Sequence, residues 1–501
     1  MRLLNRFFSR FNRRPALGNA PAPSEPLPRD ASLLRWIEED GAPAYPWAEL
    51  AAHPARVEVA RLMLEGAPLE RIEPLLAQLD AGGAQRIDRM LRADVWIRQG
   101  SYERAVPLLR ILAEGDDLWA ARAALLLAEG LHDHGELAEA AALAEHACAI
   151  VPHTFGGLIL LGCVRDNQGR HEEALALFRR ALAQRPKSLL AIGHVSVALL
   201  GLGALREGLT TYAVADDLIG AYPRQDVCAV WRGEPLGARS LLVISAYGYG
   251  DVMQLLRFVP QLREREPGAR LFLQIEAPLL RLARQTGWFE AVYEGNVDRA
   301  AFGWQVSTIR LPLALGTTMQ DLRPFDPYLR IADADVAAAS AWLPARRPGV
   351  KRIGLRWYGR PMHFDAKRNI PFARLRPLFE VPGIEWVALV EDPQAMVGLE
   401  AHPLLDVSTH LVDFYATGAL MRNLDLVISA DTSAVHLGGA LGLPVWMLAR
   451  PDYEWRWGDA GATSPWYGSL RIFRHPPGEF DWDALVAEVV TALRAWTAPA
   501  R

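Results

Sequence analysis

The sequence predicts two architectures in series: an all-α solenoid of repeated helix pairs, followed by an α/β unit of two parallel-sheet halves. Three observations carry that expectation. Gly66, Gly100, Gly135, Gly169 and Gly203 follow one another at 34, 35, 34 and 34 residues, each between two apolar-periodic segments. From residue 240 onward, short apolar runs such as 240–246 (SLLVISA), 271–277 (LFLQIEA) and 443–448 alternate with amphipathic stretches, the pattern of parallel strands joined by crossover helices. At residues 240–252 and 426–440 an apolar run passes through a short polar or glycine turn straight into a helix. Such a junction leaves backbone N–H groups and the positive end of the helix dipole at the carboxyl edge of a sheet, where phosphates bind; an ordinary crossover has the same outline.

Composition bounds the rest. A chain of 501 residues is too long for one core. With 51% hydrophobic and 22% charged residues it is globular, and its net charge of −4, without a basic stripe, argues against nucleic acid as a partner. Cys148, Cys163 and Cys228 are odd in number and lack a metal spacing, as buried thiols of a reducing compartment do. No apolar run reaches the roughly 18 residues that span a bilayer. The N-terminus lacks the apolar core and small-residue cleavage site of a secretory leader, so a cytoplasmic protein is expected.

In chain order, residues 1–30 form a separate N-terminal segment. Arg2, Arg6, Arg10 and Arg13 alternate at helical spacing with Leu3, Leu4, Phe7, Phe8 and Phe11. This predicts either a basic amphipathic helix lying on the anionic inner membrane or a merely basic tail, and a Pro/Ala linker over 15–29 follows. Residues 31–225 are helical. The clearest units begin at Gly135 and Gly169 and close at Pro152 and Pro186, again 34 apart. This resembles the tetratricopeptide repeat, with glycine between its helices and proline closing the second. The resemblance implies a concave groove that holds a protein or peptide and that can also self-associate; a rigid spacer is the alternative.

Residues 240–341 make the first α/β half. After the run 240–246, the turn Tyr247–Asp251 contains Gly248 and Gly250 and leads into a single helix over 252–265. Asp251 at the start of that helix either caps it or presents a carboxylate to the mouth of the sheet. The second half, 350–501, opens with a strand into a turn at Gly359, and Lys367 and Arg368 come just before Asn369, Ile370 and Pro371. Its central stretch runs from the strand at 426–429 through Asp431, Thr432 and Ser433, helix-capping residue types, to Gly442 and Pro444. His436 lies one turn below Thr432 on the same face, and Gly438 with Gly439 would admit something packing close to that turn. Trp455, Trp457, Trp466 and Tyr467 are dense for a loop; they either stack on a base or sugar or form core. A last helix covers 482–496.

In word order, residues 240–496 resemble the inverting GT-B glycosyltransferases, especially the lipopolysaccharide heptosyltransferases and the repeat-bearing relatives of O-linked N-acetylglucosamine transferase. The carrying words are GYGD at 248–251, RNIPF at 368–372, DTSAVHLGG at 431–439 and SPWY at 464–467. The fold implied is a tetratricopeptide solenoid followed by a GT-B unit of two Rossmann-like domains closed by the last helix. The resemblance makes Asp251 the general base. It places the donor diphosphate on Asp431, Thr432, Ser433 and His436, with Arg368 and a second cation, Lys367, neutralising it. No D-x-D or Cys/His ligand spacing stands near these words, so metal-independent transfer without a resident cofactor is expected, the nucleotide-sugar being substrate. The repeats imply a protein acceptor, flagellin or another surface protein. A cell-surface polysaccharide or glycolipid is the alternative, and an inactive binding scaffold is a third reading. RNIPF and DTSAVHLGG depart from the family's usual wording, which leaves the donor's identity open.

Overall fold

The computed structural model describes residues 47–152, 154–218, 227–359, 368–392, 396, 399, 402–450, 454–458, 460–476 and 481–498. The amphipathic segment 1–14, the linker 15–29, residues 31–46 and 219–225 of the helical region, and Lys367 lie outside them.

A short helix α1 (Trp47–Ala51) precedes five helix pairs. They are α2 (Pro54–Leu64) with α3 (Leu69–Ala81), α4 (Arg86–Arg98) with α5 (Tyr102–Ala113), α6 (Leu118–His134) with α7 (Leu137–Ile150), α8 (Phe155–Asn167) with α9 (His171–Gln184), and α10 (Leu189–Gly201) with α11 (Leu205–Leu218). The five periodic glycines sit at the turns inside these pairs with φ of 67° (Gly66), 79° (Gly100), 86° (Gly135), 75° (Gly169) and 77° (Gly203). That left-handed conformation strains any residue with a Cβ, which is why glycine recurs there. By contact the chain divides into two units, up to Ala198 and from Leu199 onward, the division falling within α10.

In the first unit, close approach of the helices relies on small residues. A Cβ at Gly130 would fall inside the Tyr102 ring, whose hydroxyl donates to Leu127 O at 2.9 Å, and one at Gly162 would lie 2.3 Å from the Phe178 ring. Two buried ion pairs join the first helices of successive pairs: Arg56 to Asp88 at 2.6 Å and Arg122 to Asp94 at 2.7 Å.

The second unit contains two wholly parallel sheets. In the first, β1 (Ala229–Val230), β2 (Ser240–Ile244), β3 (Arg270–Ile275), β4 (Ala291–Glu294) and β5 (Trp304–Ser307) lie in the order β1-β5-β2-β3-β4. In the second, β6 (Lys351–Arg356), β7 (Ile384–Ala388), β8 (Leu404–Asp406), β9 (Leu426–Ala430), β10 (Val445–Leu448) and β11 (Leu470–Phe473) lie in the order β11-β10-β9-β6-β7-β8. Their helices are α12 (Tyr249–Leu255), α13 (Phe258–Arg265), α14 (Ala277–Gln285), α15 (Leu311–Leu315), α16 (Asp333–Ser340), α17 (Phe414–Met421), α18 (Ser433–Ala440) and α19 (Trp482–Thr497). All five residues of β9 are buried, as a central parallel strand covered on both faces requires. The single helix expected over 252–265 is two, α12 and α13. Pro260 has no N–H to offer the carbonyl of Leu256, and the helix interrupts there. The class read from the sequence, an all-α repeat followed by paired parallel α/β halves, is the one observed. Among the described residues no helix is long and apolar enough to cross a membrane.

Candidate active site

The first wall of the site is the turn between β2 and α12. Tyr247 takes φ 74°, a conformation that costs a bulky residue of order 1–3 kcal/mol and must be held by its surroundings. Its hydroxyl donates to Asp216 on α11, and that carboxylate also accepts from Ser307 Oγ at 3.0 Å and from Arg310 Nε at 3.3 Å. Burial pushes the Asp216 carboxyl up, and its hydrogen bond from Tyr247 and the Arg310 charge oppose that. The strained turn is thus anchored to a buried acid supplied by the last repeat helix. Gly248 precedes α12, and its N–H donates to Asp251 Oδ2 at 2.9 Å. Asp251 therefore does cap its helix, with one oxygen; the other is turned toward the second half.

The second wall is the start of α18. Thr432, 4% exposed, is its N-cap: Oγ1 accepts from Ala434 N at 3.3 Å and lies 3.1 Å from Ser429 Oγ. Asp431 and Ser433 on either side are half-buried. His436 is buried, with Nδ1 3.0 Å from Tyr467 Oη and its ring against Trp457 at 5.2 Å between centroids. Burial, then the Arg456 and Arg257 charges, hold its pKa well below the ordinary value, so the ring is neutral. The two walls meet here: a Cβ at Gly250 would lie 2.6 Å from His436 Cδ2 and 3.1 Å from Nε2. Gly250 is the residue that lets the first turns of α12 and α18 touch.

Charge closes the junction from the segment after β10. Arg456 donates through Nη2 to Asp251 Oδ1, through Nη1 to Glu454 Oε1 at 2.6 Å and through Nε to Gln254 Oε1 at 2.9 Å. Nearby, Arg257 donates to Trp466 O at 2.5 Å and lies over the Tyr328, Trp466 and Tyr467 rings at 5.1, 5.5 and 5.1 Å. Arg281 reaches Asp413, the cap of α17, at 2.9 Å.

Two open readings narrow. Of the two readings of Trp455 and Trp457, stacking on a base or sugar or packing as core, burial favours core, since they are only 9% and 3% exposed. Trp455 packs on Trp466 and carries the Arg456 guanidinium, while Trp457 packs on His436 and Tyr467, so protein side chains occupy their faces. Gly438 and Gly439 admit protein too. A Cβ there would meet Val445 at 2.5 Å and the Tyr467 ring at 2.4 Å respectively.

Arg368 stands one strand away, at the carboxyl edge of β6 beside β9. Its guanidinium lies over Gly359, whose Cβ would be 3.2 Å from Nε, and Asn369 Oδ1 accepts from Gly359 N at 2.8 Å. The structure thus brings Gly250 against His436, with Gly248 and Asp251 beside it on the first turn of α12 and the Thr432 cap one turn from His436 on α18. A cavity of about 360 Å³ in this unit lies elsewhere, behind α13, lined by Gln261, Glu264, Trp288, Arg323 and Arg330 among others and by none of the expected site residues. Sequence reasoning missed Arg456, Glu454, Gln254 and Arg257. The one signal for Arg456 was its position between two tryptophans already singled out.

No protein-family model matches the chain. Protein FlbA of Caulobacter vibrioides (strain ATCC 19089 / CIP 103742 / CB 15) is 28% identical over 370 residues, covering 67% of this chain; the chain spans 60% of that relative's length. Among solved structures, the glycosyl transferase family 9 protein from Veillonella parvula DSM 2008 is similar over 53% of this chain and 99% of its own, at 12% identity and a TM-score of 0.41. The E. coli ADP-heptose lps heptosyltransferase II is similar over 52% of this chain and 98% of its own, at 14% identity and a TM-score of 0.38.

Proposed function

We propose that the chain is an inverting, metal-independent glycosyltransferase that moves a sugar from a nucleotide-sugar donor to a hydroxyl of a protein acceptor. One observation carries this reading. A carboxylate at the start of α12 and the capped start of α18 come from the carboxyl edges of two different parallel sheets and meet across Gly250 and His436. Ligands of open α/β sheets bind at such edges.

In this reading the donor diphosphate lies against the first turn of α18, where Thr432 and the positive end of the helix dipole stand, with Arg368 supplying fixed positive charge. Asp251 takes the proton from the acceptor hydroxyl as that oxygen bonds to the anomeric carbon. The bond from that carbon to the diphosphate oxygen breaks on the opposite face, and its electron pair leaves with the nucleotide. In this reading a protein acceptor is held by the repeat helices α2 to α9, and the reaction is cytoplasmic.

The test is a thermal-shift screen of the full chain against UDP, GDP, ADP and CMP, with a nicotinamide dinucleotide as control. A ligand bound only by the folded state raises the melting temperature by mass action. A shift with one nucleotide that is lost in Arg368→Ala and Thr432→Ala supports the reading, as does donor turnover that is lost in Asp251→Asn. No shift with any nucleotide would favour a scaffold with an inactive α/β half.

A further inference from the structure

We infer that Asp251, Arg456 and Glu454 act as one proton-holding triad, in which Arg456 is a positioning residue for Asp251 and Glu454 is a second carboxylate that shares the proton. The inference rests on the reading of Asp251 as the general base.

The geometry is that of one cation shared by two acids. Each Arg456 nitrogen is engaged, Nη2 on Asp251, Nη1 on Glu454 and Nε on Gln254, and the guanidinium lies 4.5 Å over the Trp455 ring. The three side chains are 18% (Arg456), 21% (Asp251) and 17% (Glu454) exposed, so water screens them poorly. With both acids ionised the triad carries one net negative charge; with one proton bound it is neutral. Removing charge from water is costly, so this arrangement favours taking up one proton and resists a second. Burial pushes the Glu454 carboxyl up from its ordinary value; Arg456 opposes, the Asp431 charge adds, Arg450 opposes and the Asp251 charge adds. Two further described groups near the triad carry no charge: burial holds Tyr212 protonated and His436 neutral.

The two acids differ in position. Asp251 is fixed by the Gly248 N–H at the start of α12, whereas Glu454 belongs to the same segment as Arg456, two residues before it. When Asp251 accepts the hydroxyl proton its negative charge disappears, and Arg456 stays balanced by Glu454. No unpaired charge is left in a half-buried site at the moment of transfer.

A purely structural Arg456 would tie Asp251 and Gln254 to the loop after β10 without affecting protonation, and a pair of variants separates the two roles. Titration of the protonated-carboxyl infrared band is measured on the full-length chain as wild type, Arg456→Met, Glu454→Gln, Arg456→Lys and Asp251→Asn. Removing the cation is expected to raise the pH at which the triad binds its proton, and removing Glu454 to lower it, each by about tenfold in proton affinity or more. Arg456→Lys keeps the charge and should stay near wild type, and it remains informative if Arg456→Met does not fold. The inference is overturned if Arg456→Met and Glu454→Gln leave the titration unmoved or shift it in the same direction. Donor turnover that persists in Asp251→Asn would instead sink the reading of Asp251 as base, whatever the titration does.

Discussion

At the residue scale the junction depends on hydrogen atoms where side chains would otherwise stand. Gly250→Ala sets a methyl carbon 2.6 Å from a ring that is itself fixed by Tyr467, so relief must come from the backbone of α12. Overpacking of this kind costs about 1–3 kcal/mol. A urea-unfolding midpoint equal to wild type would contradict the packing described. Buried histidines make a second prediction. His475 is brought down to about 4 by burial, with Asp481 opposing; His194 is brought down to about 3, and His436 is also lowered. Each folded ring binds a proton less readily than the unfolded one, whose pKa is about 6.5. Their stabilisation is therefore complete above that value and lost as pH falls toward 4. The urea midpoint should decline between pH 7 and pH 5, and the decline should be shallower in His475→Gln; an unchanged slope would count against this account. The place of Asp251 at the start of α12 was legible in the sequence because a strand, a glycine turn and an acid are neighbours in the chain. Arg456 was not, because it reaches Asp251 across 205 positions and nothing local marks the contact.

At the element scale two helix boundaries carry testable energies. Thr432 caps α18 with its side chain, and Thr432→Ala should cost about 1 kcal/mol through the lost cap. Thr432→Ser, which keeps the hydroxyl, should restore most of it; a serine variant as unstable as the alanine variant would mean that the cap is not what Thr432 contributes. Gly100→Ala at φ 79° has no steric neighbour within 4 Å, so its expected penalty, about 1–2 kcal/mol, is purely conformational. A loss of that size together with an unchanged circular-dichroism spectrum would confirm it. Glycine and proline punctuation located the repeat helices well because a left-handed turn is a property of one residue. The break between α12 and α13 was equally available in Pro260, but the apolar periodicity running through it masked the stop.

At the scale of the whole molecule, the two parallel-sheet halves are joined by polar groups that keep few aqueous contacts. Arg257 is 8% exposed, and its charge is met by Trp466 O and three aromatic rings. Arg257→Met should therefore destabilise the second unit by about 2 kcal/mol or more, since a hydrogen bond to a charged group and several cation–π contacts vanish together. Tryptophan fluorescence would report it, and an unaltered transition would show that the halves hold together without it. Repetition explains why so much of the chain was readable at this scale. A solenoid is built from contacts between sequence neighbours, and its period survives in the sequence, whereas the α12 and α18 meeting joins segments nearly 200 positions apart and leaves only scattered words.

The turns of the solenoid also bear on how its length can vary. Gly135 and Gly169 hold nearly the same left-handed geometry 34 residues apart, so a chain rejoined from one to the other meets the backbone it left. An in-frame deletion of residues 136–169 removes α7 and α8, the second helix of one pair and the first of the next, and leaves α6 and α9 to form a single pair across the same glycine turn. Unequal recombination within the coding sequence can therefore lengthen or shorten the groove in whole steps, which makes its reach heritable as a number of hairpins.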